Sequence, residues 1–331
     1  MEHVKCNLCG ADDAKFVLLG RCRHYGLEKK HFKLVKCRRC GLAYLNPRPD
    51  GEEIKNYYPP WYHSRAQSKV VDIEKIKFWG IPWREAMQKK AEPILRYKKI
   101  GKILDIGCGD GSLLKYLKDL GWQTYGVEIN EVSARYAREV LGLNVFKGRL
   151  EDANFPEESF DVITILHVLE HLSDPTHTLR MIFPILRKDG ILVVEVPNFG
   201  SFEARIFRSK WFGIDAPLPL HLYFFTPHSL KLLLVKCGFF KVEMGFIPEQ
   251  TKYVAGYSES LRYCLMDWGL YPLRGQRVEA KEECMDKSNL NDSSLDSLFH
   301  FMEYIIFKPI SRFMDKIGLG SNLFAAAKKK K

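Results

Sequence analysis

The chain has 331 residues, 46% hydrophobic and 13% aromatic, a composition that excludes bulk disorder and provides for one main domain with attachments. Its 51 Lys and Arg against 40 Asp and Glu give a formal charge of +11, which suits nucleic acid, an anionic membrane surface or a phosphorylated substrate and selects none of them. There is no run of about 18 apolar residues, so no spanning helix is expected, and the opening MEHVKCNLCG lacks the basic-then-apolar pattern of a secretory signal.

The first predicted unit, residues 1–46, carries two knuckles, Cys6-x-x-Cys9-Gly10 and Cys37-x-x-Cys40-Gly41, with 27 residues between Cys9 and Cys37. Each tight turn can point two thiolates at one ion, so Cys6, Cys9, Cys37 and Cys40 are predicted ligands of a structural zinc, with a redox pair or bare thiols as alternatives. Four thiolates fill the tetrahedron and leave no open position for catalysis. The nine cysteines thus point to metal in a reducing cytoplasm rather than to a disulfide framework. Cys22 and His24 lie between the knuckles and are read as ordinary residues of a hairpin.

Residues 47–100 are read as a linker followed by cap helices. Pro47, Pro49, Pro59 and Pro60 mark loop and turn, and Tyr57, Tyr58, Trp61 and Tyr62 either stack on a ligand or pack the first unit onto the core. Ile73, Ile76, Trp79, Trp83, Met87, Ala91, Ile94 and Leu95 have helical spacing, and Pro82 and Pro93 are expected to divide the region into shorter helices.

From 101 to 247 the pattern alternates. Strands are predicted at 102–106, 123–128, 144–147, 160–166, 191–196 and 238–247, with helices at 111–120, 131–141 and 176–187, the last stopped by Lys188-Asp189-Gly190. This predicts a parallel sheet covered by helices, with ligands at the carboxyl ends of its strands. The first strand runs into KILDIGCGDG, where Gly107, Gly109 and Gly111 supply a tight turn that a ligand can approach, although a ligand-free turn fits the same residues. Ser112 stands where the dinucleotide fingerprint would have its third glycine. Glu128 ends the second strand, where a carboxylate can accept both hydroxyls of a ribose. Thr226-Pro227 is a good helix start.

Residues 248–320 are expected to form a helical insertion containing the polar stretch 283–297 and then LFHFMEYIIFKPISRFMDKIG, whose apolar face carries Lys308, Arg312 and Lys316. That face, 298–317, either packs on the core or across a dimer, or makes a peripheral contact with the inner face of the membrane. Residues 321–331 are read as a final strand, 323–327, and a basic tail.

Taken together, ILDIGCGDG, VEIN and FDVITILHVLEHL resemble, in order and spacing, the class I S-adenosylmethionine-dependent methyltransferases. The resemblance implies a Rossmann-like seven-stranded α/β sheet, here with an N-terminal zinc module and a C-terminal helical insertion, and a last strand inserted antiparallel next to the sixth. It implies that Asp105, Gly107, Cys108, Gly109 and Gly111 hold the amino-acid part of the cofactor, and that Glu128 and Ile129 hold the ribose end. Leu150 and Glu151 would meet the adenine, Arg149 standing where the family often has another residue, and His167 the methionine part. His221, before an aromatic run, is the candidate general base, with His171 as a second catalytic candidate and Glu170 beside it. The knuckles joined to NPRP and this core further resemble bacterial methyltransferases of surface-polysaccharide and deoxysugar pathways, implying a nucleotide-sugar or glycan acceptor. An RNA methyltransferase, favoured by the charge, and a non-catalytic scaffold that binds zinc and cofactor are the alternative readings.

Overall fold

The computed structural model describes residues 1–21, 30–58, 73–78, 81–215, 218–246, 255–267, 298–299 and 301–329. Cys22, His24, Pro59, Pro60, Trp61, Tyr62, Trp79 and the stretch 283–297 lie outside these residues. The N-terminal unit has strands β1 (Ala14–Arg21), β2 (His31–Cys37) and β3 (Ala43–Leu45). β1 and β2 pair antiparallel from Ala14↔Cys37 to Arg21↔His31. Phe32 and Leu34 of β2 point into the core while His31 and Lys33 face solvent, the two-residue alternation of a half-buried strand.

A two-stranded pair, β4 (Lys77–Phe78) and β5 (Ile81–Pro82), leads into helix α1 (Trp83–Tyr97). Among the described residues, the helical spacing over 72–99 is realised as a single 3-10 turn at Ile73–Lys75 and then as an α-helix from Trp83 onward, and Pro93 lies inside that continuous helix instead of dividing it. An interior proline costs about 3 kcal/mol. The face formed by Ala86, Met87, Ala91 and Ile94 is buried, and at about 1.5–3 kcal/mol for each large side chain that burial outweighs the penalty.

The core follows as β6 (Lys102–Ile106), α2 (Ser112–Asp119), β7 (Gln123–Glu128), α3 (Glu131–Glu139), β8 (Asn144–Lys147), β9 (Phe160–Leu166), α4 (Pro175–Ile185) and β10 (Leu186–Pro197). α4 stops at Ile185, so Lys188-Asp189-Gly190 is not its end signal. Those residues sit in an irregular stretch of β10, between the pairs Leu186↔Phe160 and Ile191↔Val162. Beyond β10 come α5 (Phe202–Phe207), α6 (Phe212–Asp215), β11 (Tyr223–Phe224), α7 (Pro227–Lys236), β12 (Phe239–Phe246), α8 (Ala255–Asp267), α9 (Lys308–Lys316) and β13 (Asn322–Lys329). Thr226 caps α7 as expected, its hydroxyl accepting from the Ser229 amide.

The main sheet has the order β12-β13-β10-β9-β6-β7-β8. β13 is antiparallel to both neighbours, so the final strand lies beside the sixth as anticipated. Ile103, Leu104, Val162, Ile163, Ile165, Leu192 and Val194 are buried, because helices cover both faces of the sheet and a central strand is apolar at most of its positions. Strand order reverses between β6 and β9, which opens a crevice at their carboxyl ends. No helix among the described residues is long and apolar enough to cross a membrane.

β11 leaves this sheet and joins the N-terminal one, in the order β1-β2-β3-β11, through Tyr223↔Tyr44 and Phe224↔Ala43. Further ties reinforce the junction. Arg48 donates to the Ser173 carbonyl and the Tyr223 hydroxyl, and Asn7 hydrogen-bonds Asp174 and Thr176. Tyr57 is buried edge-on against Phe32, so it packs the N-terminal unit.

Candidate active site

Three glycines shape the loop after β6, for two different reasons. All have positive φ, 71° at Gly107, 57° at Gly109 and 79° at Gly111. A Cβ on Gly107 would meet Val168 at 2.4 Å and one on Gly111 would meet Leu143 at 2.6 Å, so close packing demands those two. A Cβ on Gly109 would meet nothing within 4 Å. Gly109 thus faces the crevice. Its amide donates to Glu128 Oε2 at 2.9 Å, and the Asn130 amide donates to Oε1 at 2.7 Å. The buried Glu128 carboxylate therefore fixes the loop and keeps a lone pair on each oxygen for a further donor. Ile129, beside it, is 63% exposed.

The other cofactor candidates divide between the crevice and the core. Asp105 is buried and accepts from the Thr164 hydroxyl at 2.6 Å, and burial, only partly opposed by that bond, pushes its pKa up to about 6. Helix α2 takes its amide acceptor from Asp110, which bonds the Ser112 amide, so Asp105 is free of that duty. Cys108 is buried with Sγ against Gly126, where a Cβ would come within 2.6 Å of the sulfur. In the turn Leu150–Asp152 after β8, Leu150 is buried while Glu151 and Arg149 are exposed. Gly148 ties that turn to β7 by donating to the Glu128 carbonyl.

His167 follows β9 with φ of 56°, a left-handed backbone that turns its ring between two buried carboxylates. Nε2 lies 3.1 Å from Glu195 Oε1 and Nδ1 3.5 Å from Glu170 Oε1. Burial alone would lower its pKa, but the charges of Glu195 and Glu170 and the contacts with them prevail and raise it to about 10. Two-fifths of the imidazole faces solvent, which screens this pair on one side. Glu195 was not anticipated from sequence. Its signal was a lone acid inside the apolar strand LVVEVP.

Glu170 and His171 come from the turn after His167, and His221 comes from the segment before β11. The Leu222 amide donates to the Glu170 carbonyl at 2.8 Å, and the Leu45 amide donates to the Leu222 carbonyl at 3.0 Å, so β3 and the turn together hold the His221 segment. His171 and His221 meet edge to face with centroids 4.6 Å apart. His171 Nδ1 lies 3.0 Å from the Leu220 carbonyl, which makes that nitrogen the donor, and His221 Nε2 lies 3.9 Å from Glu170 Oε1. Burial lowers the pKa of both histidines, that of His221 to about 3. Glu170 resists the upward push of burial because the imidazoles around it, His167 foremost, hold it ionised.

The four knuckle sulfurs lie within 4.8 Å of one another, with Cys6–Cys40 at 3.4 Å and Cys9–Cys37 at 3.5 Å. The two knuckles match. Gly10 and Gly41 have φ of 74° and 76°, and their amides close the turns on the Cys6 and Cys37 carbonyls. A tetrahedral zinc with Zn–S near 2.3 Å would space its sulfurs about 3.8 Å apart, close to this arrangement.

Comparison with known proteins agrees with this geometry. A family model described as a methyltransferase domain matches residues 83–243, from α1 into β12. The chain is 31% identical over 184 residues to a ubiquinone biosynthesis O-methyltransferase of Azorhizobium caulinodans, covering 52% of this chain and 73% of that protein. It is 30% identical over 143 residues to a probable S-adenosylmethionine-dependent methyltransferase of Mycolicibacterium smegmatis, covering 41% of this chain and 51% of the relative. The chain spans about half the length of several curated relatives it matches. The solved structure of the cyclase SpnF superposes with a TM-score of 0.50 at 14% identity, over 86% of this chain and 97% of that one, a likeness of fold alone. The chain belongs to the class I S-adenosylmethionine-dependent methyltransferases.

Proposed function

We propose that this protein transfers a methyl group from S-adenosylmethionine to a hydroxyl of a nucleotide sugar or glycan intermediate. The observation that carries the reading is the meeting, at one edge of the sheet, of an open glycine loop anchored by Glu128 and a cluster of half-buried histidines around the buried Glu170. Gly109 leaves the space that a bound amino-acid moiety requires, the free lone pairs of Glu128 suit two ribose hydroxyls, and the exposed Ile129 offers an apolar contact for the base. The buried Asp105, Cys108 and Gly111 and the half-buried Gly107 shape the loop from beneath, Leu150 and Glu151 flank the adenine end, and His167 closes the methionine end.

When bound, the cofactor supplies an electrophilic methyl whose departure leaves a neutral thioether. The residues of this chain align the acceptor oxygen and take its proton. His221 is the proton acceptor, and with His171 neutral the nearest charge to it is the Glu170 carboxylate, which stabilises the imidazolium as the oxygen–methyl bond forms. A hydroxyl acceptor is supported by this pairing and by the O-methyltransferases among the relatives. The glycan class rests on the likeness of the knuckles and the NPRP segment to polysaccharide and deoxysugar enzymes. In this reading a structural zinc on Cys6, Cys9, Cys37 and Cys40 holds the sheet that carries β11, and so positions His221.

The test is accumulation of S-adenosylhomocysteine when the protein and S-adenosylmethionine are offered nucleotide sugars, glycan extract or RNA. Turnover with sugar substrates supports the reading. Turnover with RNA alone redirects it, and binding without turnover on any class leaves a scaffold. A lipid-linked acceptor is favoured by one observation: Leu298, Phe301, Ile305, Ile306, Phe313 and Ile317 are exposed on the segment that carries Arg312 and Lys316. Flotation of the full chain with anionic but not neutral vesicles, lost in Phe301→Ser/Phe313→Ser, tests it.

A further inference from the structure

Glu170 poses a chemical problem that proton transfer alone does not solve. The residue is 1% exposed, and neither carboxylate oxygen has a hydrogen-bond partner among the described residues. The His167 imidazolium faces it, but its Nδ1 stands 3.5 Å from Oε1, an ion-pair distance too long for a hydrogen bond of ordinary strength, and Glu195 shares its charge. A carboxylate whose task is to orient an imidazole accepts a hydrogen bond from it at about 2.6–3.2 Å. Of the other two imidazoles, His171 spends its proton on the Leu220 carbonyl, and His221 Nε2 stands 3.9 Å from Oε1, beyond hydrogen-bond reach. In its neutral form His171 has no second N–H to give Glu170. A buried carboxylate without a hydrogen bond, sharing one distant imidazolium with Glu195 and flanked by two further imidazoles, can take a further cation.

We infer that Glu170, His171 and His221 form a binding site for a divalent transition-metal ion at the acceptor end of the crevice. One nitrogen of each histidine and one oxygen of Glu170 lie within 4.8 Å of one another. The Leu220 carbonyl on His171 Nδ1 is an outer contact of the kind that fixes the tautomer and aim of a metal-bound histidine. Two nitrogens and one carboxylate suit zinc or iron(II) rather than magnesium or calcium, which take oxygen. Three protein ligands leave a position open, which here would accept an acceptor oxygen. The site is separate from the cysteine knuckles, whose four thiolates already complete a tetrahedron. An ion there occupies the His221 lone pair, so proton removal by His221 belongs to the metal-free form.

The experiment needs neither cofactor nor acceptor, so its failure and that of the methyltransferase reading are distinguishable. Full-length wild type, Glu170→Gln and His221→Ala are equilibrated with zinc, freed of excess, and their metal per chain is measured by mass spectrometry. Thermal melts with and without added zinc accompany the counts. Glu170→Gln keeps the shape of the side chain, so its melting curve without zinc verifies a folded comparison. The wild type is expected to hold one more zinc per chain than either variant, whatever the knuckles hold, and to be the one whose melting temperature rises further on zinc addition. Equal zinc content in all three proteins, with equal melting shifts, would overturn the assignment.

Discussion

The two ends of the crevice are built in different ways. The cofactor end comes from consecutive strand ends: Gly107 to Gly111 after β6, Glu128 after β7 and Leu150 after β8. Its key contact, Gly109 to Glu128, joins neighbouring strands and follows from the sheet alone. The acceptor end is assembled from distant pieces. His171 follows β9, His221 lies fifty residues on, and the strand after His221 is held by β3 of the N-terminal unit. The cofactor end is thus a property of the fold, while the acceptor end depends on a second sheet and on whatever keeps that sheet in order.

Substitutions should separate the two ends. The largest effect is expected from His221→Ala, which should lower turnover by about 10²–10⁴-fold while the affinity for S-adenosylmethionine, measured by calorimetry, stays within a few-fold. A parallel loss of cofactor affinity would show that the ends are not independent. Next, Gly109→Val should lower cofactor affinity by on the order of 100-fold, because a branched side chain fills the open crevice and is strained at φ of 57°. Gly111→Ala, by contrast, should act on stability, since its Cβ meets Leu143 and Ala137. Its melting temperature should fall more than its cofactor affinity.

Smaller effects probe the second sheet. Changing Cys40 to Ser should raise the KM for acceptor and lower turnover several-fold with cofactor affinity little altered, because β11 hangs on β3. The smallest concerns pH. The His221 pKa lies below its unfolded value, so the unfolded chain binds the proton more readily. The neutral imidazole then contributes stability above about pH 6.5 that is lost as pH falls toward 3. His221→Phe should flatten the loss of stability between pH 6.5 and 4 by on the order of 1 kcal/mol, read from denaturant midpoints. An unchanged slope would place the titration elsewhere.

The same contrast governs what could be read from sequence. β6, β7 and β9 fall where short apolar runs bounded by glycine or turn residues put them, since a strand buried on both faces has little freedom of composition. Glu128 was legible because it ends such a run. The matched knuckles were legible because two cysteines and a glycine at fixed spacing define one turn. Pro93 misled because local propensity does not register the buried face of α1. The irregular stretch of β10 imitated a helix stop, Lys188-Asp189-Gly190 being polar wherever it lies. Glu195 went unseen since its partner His167 comes from another strand, and the meeting of His171 with His221 depends on the β3–β11 pairing, which no periodicity within either segment encodes.

The most direct test of the account is calorimetric titration of the full chain with S-adenosylmethionine, repeated on Glu128→Ala. The account predicts one site per chain in the wild type and a loss of at least about tenfold in affinity in the variant. That substitution removes the acceptor of the Gly109 and Asn130 amides together with the ribose contact. A folded wild type that binds no cofactor, or a variant that binds as tightly as the wild type, would contradict it.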